Sequence, residues 1–163
     1  MRLDYRVFFK TLNKLKIDYL VVGGLAVNFH GIPRMTYDID LMILLEPQNI
    51  RKLVAKLSQW GYKPQAPVDP QDLADESIRK SWIQEKRLVA FNLYCETLPI
   101  GEIDLVIKSP IPYEKLKARA ARIEIEGEKV PVVSLEDLIK LKKKTGRAQD
   151  LSDVRLLKRI RKK

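Results

Sequence analysis

The chain has 163 residues and a formal net charge of +10, with 45% hydrophobic and 32% charged residues. That length suits one well-buried domain, here taken as residues 1–163, rather than two, and no apolar run approaches the ~18 residues needed to cross a bilayer. The opening MRLDYRVFF lacks a signal peptide's apolar block and the single cysteine, Cys95, allows no internal disulfide, so the expected setting is the cytoplasm and Cys95 is expected to be a small core residue.

In chain order, residues 5–16 space Val7, Phe8, Leu12 and Leu15 as one face of an amphipathic helix. IDYLVV, 17–22, is a short and almost wholly apolar strand of the kind that lies centrally in a sheet. Gly23 and Gly24 let the chain turn into a helix, LAVNFHG, that Gly31 and Pro33 end. A second strand follows at 37–45, YDIDLMILL. Pro47 then starts a helix through Trp60, stopped at Gly61, with Ile50, Leu53, Val54 and Leu57 as its apolar stripe. Residues 64–88 begin proline-rich and continue as a polar helical stretch; they are expected to form an insertion or flap.

LVAFNLYC (88–95) and GEIDLVI (101–107) predict an antiparallel strand pair around the turn at Leu98–Gly101. Pro110 and Pro112 precede a short helix, KLKARA. RIEIEG and KVPVVS predict a hairpin turning at Gly127 and Glu128. Ser134 caps a helix with Asp137 three residues on, and a last helix from Ala148 to Arg161 carries Leu151, Val154, Leu157 and Ile160 on one face. The order of elements fits an α/β (α+β) layer with a mixed β-sheet flanked by helices. Charge is concentrated at the end. Residues 1–139 carry 20 Lys and Arg against 19 Asp and Glu, whereas 140–163 carry 11 against 2, so the basic helices of 134–163 present either a solvated face or a surface for phosphates.

Asp38 and Asp40 carry the most chemical information. Residues two apart in a strand point to the same face, with Cα atoms roughly 6.5 to 7 Å apart, so these two carboxylates converge while Ile39, Leu41 and Ile43 face the other side. Like charges on a half-buried strand repel and resist desolvation, and a divalent cation is the simplest group to sit between them. With a glycine-lined helix start nearby, the pattern points to a nucleoside triphosphate.

The order Gly-Gly, a spacer with an Arg, then Asp-x-Asp on a strand resembles the nucleotidyltransferase superfamily that shares the DNA polymerase β palm, and within it the small stand-alone members, including the abortive-infection (AbiE-type) toxin nucleotidyltransferases. The run SLEDLIKLKKKTGRAQDLSDVRLL is similar to theirs as well. The resemblance implies a palm-like core with three carboxylates on adjacent strands. Asp38 and Asp40 would bind two Mg²⁺ (or Mn²⁺) ions, and Asp104 in EIDLVI matches the family's apolar-Asp-apolar pattern as the third ligand, with Glu102 as the alternative. All three aspartates are thus candidate catalytic and metal-binding residues. Hard Mg²⁺ prefers few carboxylates plus the substrate's own phosphates, and two ions ~3.5 to 4 Å apart can hold the entering and leaving oxygens of phosphoryl transfer.

Gly23 and Gly24 would bring backbone N–H groups and a helix N-terminus to the β- and γ-phosphates. Arg34 and Thr36 match the family's Arg-x-Thr-x-Asp-x-Asp, and Lys143, Arg147, Asp150 and Asp153 match its terminal Lys-…-Arg-x-x-Asp-x-x-Asp. Arg34, Thr36, Lys143 and Arg147 are therefore candidate nucleotide-binding residues, although Arg147 and Asp150 also have the spacing of a helix-start ion pair. His30 reads as structural, and the tryptophans and tyrosines form no stacking array for single-stranded nucleic acid.

The activity implied is metal-dependent transfer of a nucleoside monophosphate from an NTP such as ATP to a hydroxyl of a small molecule, protein or RNA, releasing pyrophosphate. Expected partners beyond the NTP are RNA, an antitoxin or a second copy of the chain, and no membrane. The alternatives are a non-catalytic protein of the same fold that binds a partner or nucleic acid through its basic end, and a glycosyltransferase, for which the chain is short and the Gly-Gly turn unexplained.

Overall fold

The computed structural model describes residues 2–163. Helix α1 (Tyr5–Lys14) begins where Asp4 accepts the Val7 N–H at 2.9 Å, and it buries Phe8, Phe9 and Leu12. Strand β1 (Tyr19–Val22) is buried throughout and runs directly into α2 (Gly23–Phe29), which starts at Gly23 itself rather than after the glycine pair. Strand β2 (Asp38–Ile43) follows. Helix α3 (Pro47–Trp60) has the expected limits: Pro47 has no N–H to leave unpaired in the first turn, and Gly61 closes the helix at φ 103°.

Next come β3 (Lys63–Pro64), a 3-10 turn (Pro70–Ala74) and α4 (Glu76–Glu85). Strands β4 (Ala90–Tyr94) and β5 (Glu102–Val106) form the expected antiparallel pair. Helix α5 (Tyr113–Ala118) starts two residues before the predicted segment. Strands β6 (Ala121–Ile125) and β7 (Glu128–Val132) form the hairpin. Its turn lies at Glu126 and Gly127, both with positive φ (49° and 87°), one residue earlier than the sequence indicated; that pair of left-handed residues matches the twist of the flanking strands. Helices α6 (Leu135–Thr145) and α7 (Ala148–Arg161) end the chain. Ser134 caps α6 by accepting the Asp137 N–H at 3.1 Å. On α7, Val154 and Leu157 are buried but Leu151 is exposed, so the apolar face is narrower than its spacing implied.

All seven strands of the described residues join one mixed sheet in the order β3-β4-β5-β2-β1-β7-β6. The β2–β5 and β1–β7 pairings are parallel and the others antiparallel. Strand alternation gives the sheet two unlike faces. One carries Tyr19, Ile39, Leu41, Ile43, Phe91, Ile103 and Leu105, all buried. The ring of Phe9 from α1 stacks on Tyr19, and Trp82 from α4 stacks on Phe91 with centroids 5.4 Å apart. The 64–88 segment, expected as an insertion or flap, therefore anchors α4 on this covered face through Trp82. Leu73 and Arg79 are buried with it, and the Arg79 guanidinium donates to the Leu73 carbonyl at 2.7 Å. The opposite face holds Asp38, Asp40, Glu102, Asp104, Asn92 and Tyr94. Among the described residues, no helix is long and apolar enough to cross a membrane.

Candidate active site

Register brings the site together. Across the parallel β2–β5 pair, Asp40 lies opposite Asp104 and Asp38 opposite Glu102. Across β5–β4, Asp104 lies opposite Asn92 and Glu102 opposite Tyr94. Neighbouring strands are roughly 4.8 Å apart, so Asp40, Asp104 and Asn92 form one row on the open face, and Asp38, Glu102 and Tyr94 the next. The Asn92 amide donates to Asp104 Oδ1, which fixes the orientation of that carboxylate. Asn92 was not identified from sequence; its only signal is a polar residue in the alternation of AFNLY, and its role depends on a strand pairing no local pattern states.

The row is electrostatically tense. The Asp40 carboxyl is pushed up to about 7, first by burial, then by the charge of Asp104 and a hydrogen bond with it, then by Asp38; Lys142 pulls it the other way. Asp38 is also raised, by burial and then by Asp104. Both shifts express the cost of holding several carboxylates together out of bulk water.

The Gly-Gly turn packs directly on this row. Val22 pairs with Asp40 across β1–β2, and Gly23 follows at φ +66° with its Cβ position overlapping Asp40 Oδ2. Any side chain there would displace the carboxylate as well as strain the backbone. Gly24 is covered from the other side: a Cβ would lie 3.1 Å from Thr36 Oγ1 and 3.3 Å from Arg34 Cζ. Thr36 Oγ1 lies 3.4 Å from the Asp38 carbonyl. The loop before β2 is held by the Arg34 N–H, which donates to Asn28 Oδ1 at 2.9 Å.

Arg34 reaches across to the C-terminal helices, where Nη1 pairs with Asp153 Oδ2 at 2.5 Å. Asp153 also pairs with Lys142 at 2.9 Å, and Lys142 with Asp150 at 3.3 Å. Arg147 closes the chain of ion pairs on Asp150 at 2.8 Å. Lys142, Asp150 and Asp153 are buried, while Arg147 is largely exposed. Asp150 is held at about 2: burial alone would raise it, but hydrogen bonds from Arg147, Thr145 and Lys142 and the Lys142 charge outweigh that. The Arg147 guanidinium is raised chiefly by its hydrogen bond and ion pair with Asp150, with a smaller contribution from the charge of Asp40.

Lys143, a sequence candidate for nucleotide contact, lies exposed beside Lys158 of α7, whose ammonium it pushes down. The lysine turned toward the carboxylates is its neighbour Lys142; one residue along a helix is a rotation of about 100°. His30 is structural, its Nε2 hydrogen-bonded to the Val133 carbonyl at 2.7 Å.

The profile of a family described as nucleotidyltransferase of unknown function (DUF6036) matches residues 4–160. The chain belongs to this nucleotidyltransferase family. No curated protein is similar enough in sequence to be matched to it. Among solved structures, this nucleotidyltransferase is similar to the lincosamide antibiotic adenylyltransferase LnuA in its lincomycin-bound form, at 18% identity over 98% of each chain with a TM-score of 0.65. It is also similar to ANT(2″)-Ia in complex with adenylyl-2″-tobramycin, at 15% identity over 91% of this chain and 82% of that one, with a TM-score of 0.57. An antigenic nucleotidyltransferase-like protein from Paracoccidioides brasiliensis aligns at 20% identity over 94% and 72% of the two chains, again with a TM-score of 0.57. At these identities the likeness establishes the fold.

In the described residues of this nucleotidyltransferase, no three carboxylate, imidazole or thiol groups close into a ready-made metal cage. The donors present are carboxylates on one open sheet face. Lys142, a cation that lowers Asp40, is already engaged by Asp150 and Asp153. An open, oxygen-only, charge-rich donor set fits a hard cation that keeps water and takes substrate phosphates as further ligands.

Proposed function

We propose that the protein transfers a nucleoside monophosphate from an NTP to an acceptor hydroxyl, with Asp38, Asp40 and Asp104 as the catalytic carboxylates. The observation that carries this reading is the in-register pair Asp40–Asp104, with Asp38 two residues back and the Gly23 turn packed on Asp40. Asp38, Asp40 and Asp104 would hold Mg²⁺ or Mn²⁺, and the bound ion would supply charge neutralisation at the transferring phosphate and a lower barrier to ionising the acceptor hydroxyl.

The other roles belong to the chain's own groups. Asp104, oriented by Asn92, would accept the proton of the attacking hydroxyl. Backbone N–H groups around Gly23 and Gly24 donate to the β- and γ-phosphates. Arg147, exposed and within reach of the Asp40 charge, gives the triphosphate a guanidinium, which binds phosphate through paired donors. Arg34 serves as a brace, tying the loop over Gly24 to Asp153, with Thr36 filling the space beside it. Lys142 fixes α6 and α7 relative to β2, so that Arg147 is presented at a defined distance from Asp40. Lys143 contributes charge to the outer surface of α6–α7, where it attracts a polyanion without touching the reacting atoms.

The test is incubation with each α-³²P-labelled NTP, Mg²⁺ or Mn²⁺, and a mixture of small-molecule polyols, RNA and cell protein. Label should move to an acceptor in the parent protein and stay on the NTP in Asp40→Asn and Asp104→Asn. Equal transfer by either variant would remove the carboxylates from the mechanism.

A further inference from the structure

The two edges of the sheet are built differently. At one end β3 has only two residues, Lys63 and Pro64. A short edge with an exposed lysine and a proline that lacks an N–H offers little to another strand. At the other end β6 runs for five residues, Ala121–Ile125, with no proline or glycine, and among the described residues β7 is its only strand neighbour.

Register shows which backbone groups of β6 are free. The Val133 N–H donates to the Val21 carbonyl at 2.9 Å, so odd-numbered residues here direct their backbone groups at β1. The even-numbered Val132, Val130 and Glu128 direct theirs at β6, where they stand opposite Ala121, Ile123 and Ile125. The two-residue turn at Glu126 and Gly127 closes on such a hydrogen-bonded pair. Arg122 and Glu124 therefore turn their N–H and C=O groups outward, to solvent. Both side chains are exposed, and among the described residues neither joins an ion pair.

This edge is complementary to itself. In antiparallel pairing about a two-fold axis at Ile123, Arg122 of each copy faces Glu124 of the other, and these same residues supply the hydrogen-bonded pairs. Ile123 then meets its own counterpart and Ala121 meets Ile125, on the side where Ile123 and Ile125 already pack against the core. An axis at Arg122 or at Glu124 would set Arg against Arg or Glu against Glu, and like charges directly opposite are destabilising. Backbone phase and side-chain charge select one register. The net charge of +10 does not centre on this edge, since residues 1–139 carry 20 Lys and Arg against 19 Asp and Glu.

We propose that the protein forms a two-fold symmetric dimer by antiparallel pairing of β6 with β6 of a second copy, continuing the sheet across both chains, with the Arg122–Glu124 pairs fixing the register. One five-residue strand is a small contact, so the dimer is reversible, with a Kd of ~1–100 μM. The proposal is independent of nucleotidyl transfer: β1 and β7 stand between β6 and the aspartates of β2.

Sedimentation velocity of the full chain over ~1–500 μM should show a monomer passing to a dimer and no larger species. Glu124→Arg alone and Arg122→Glu alone should each weaken the dimer about tenfold or more, because each sets like charges opposite one another twice. Mixing those two variants should restore a heterodimer. The double variant, R122E with E124R, should dimerise within about threefold of the parent, its pairs reversed but intact. Asp40→Asn should dimerise as the parent does. Hydrogen exchange on the parent needs no substitution: the amides of Arg122 and Glu124 should exchange freely in dilute protein and slow at high concentration, while those of Ala121, Ile123 and Ile125, held by β7, stay slow at both. A chain monomeric throughout the range, a dimer indifferent to the single reversals, failure of the mixture or the double variant to pair, or concentration-dependent protection elsewhere would each overturn the proposal. Dimerisation as described in a protein that binds no nucleotide would leave this interface standing and remove the transfer proposal; nucleotide binding by a strict monomer would do the reverse.

Discussion

Lys142→Met removes the cation at the centre of the buried ion-pair chain. Its ammonium lies 2.9 Å from Asp153 and 3.3 Å from Asp150, so the substitution leaves two buried carboxylates each short of a partner. Breaking a buried pair by deleting one member costs roughly 3–5 kcal/mol. Here each aspartate keeps one arginine, Arg34 at 2.5 Å on Asp153 and Arg147 at 2.8 Å on Asp150, which places the loss at the lower end, about 3 kcal/mol. For a domain of this size that is a fall of roughly 6–12 °C in the thermal midpoint. Lys143→Met, one residue away, removes an exposed charge that repels Lys158 and should change stability by no more than about 0.5 kcal/mol. Adding Asp150→Asn to Lys142→Met should recover at least ~1 kcal/mol, because the surplus charge goes with it. Thermal and urea denaturation of the three variants decide the matter. Equal behaviour of the Lys142→Met and Lys143→Met proteins, or no recovery of stability in the double variant, would refute a buried network organised on Lys142.

Gly23→Ala should cost roughly 1–3 kcal/mol and abolish measurable nucleotide binding, because its methyl would collide with the Asp40 carboxylate; Gly31→Ala, also at positive φ but with open space around it, should leave nucleotide binding intact. Trp82→Ala should destabilise by about 3–5 kcal/mol without altering nucleotide affinity, since Trp82 stacks on Phe91 on the face away from the carboxylates. Two pH windows should appear in urea denaturation. Asp40 is raised from 3.8 to about 7, so the folded state binds the extra proton there and metal-free stability should fall as pH rises through that window, a slope that Asp40→Asn removes. Asp150 is lowered from 3.8 to about 2, so its contribution is present above 3.8 and is lost as pH falls toward 2.

The parts of the site legible in the sequence are those whose geometry is local. Asp38 and Asp40 share a face because a strand has a period of two, and Gly23 and Gly24 read as a strand-to-helix turn because glycine tolerates the backbone needed. The limits of α3 and α7 follow from Pro47, Gly61 and the helical period. Long-range contributions were not legible. Asn92 meets Asp104 only through the β4–β5 register, and Glu102 meets Asp38 only through the parallel β2–β5 crossover. The choice between Lys142 and Lys143 depends on how α6 rotates against α7, where Asp150 and Asp153 wait; the Lys-rich run offers three adjacent candidates with no local feature to separate them. The segment 64–88 read as polar and proline-rich, yet Trp82, with Leu73 and Ala74 buried beside it, carries enough apolar surface to seat it on the core.

The central claim is that the carboxylates of β2 and β5 couple metal to nucleotide. Calorimetric titration of a non-hydrolysable NTP into the parent protein and Asp40→Asn, each with Mg²⁺ and with chelator, tests it most directly. The account predicts binding by the parent protein that requires Mg²⁺, and loss of that requirement together with most of the affinity in Asp40→Asn. Tight binding in the presence of chelator, equal in both proteins, would contradict it.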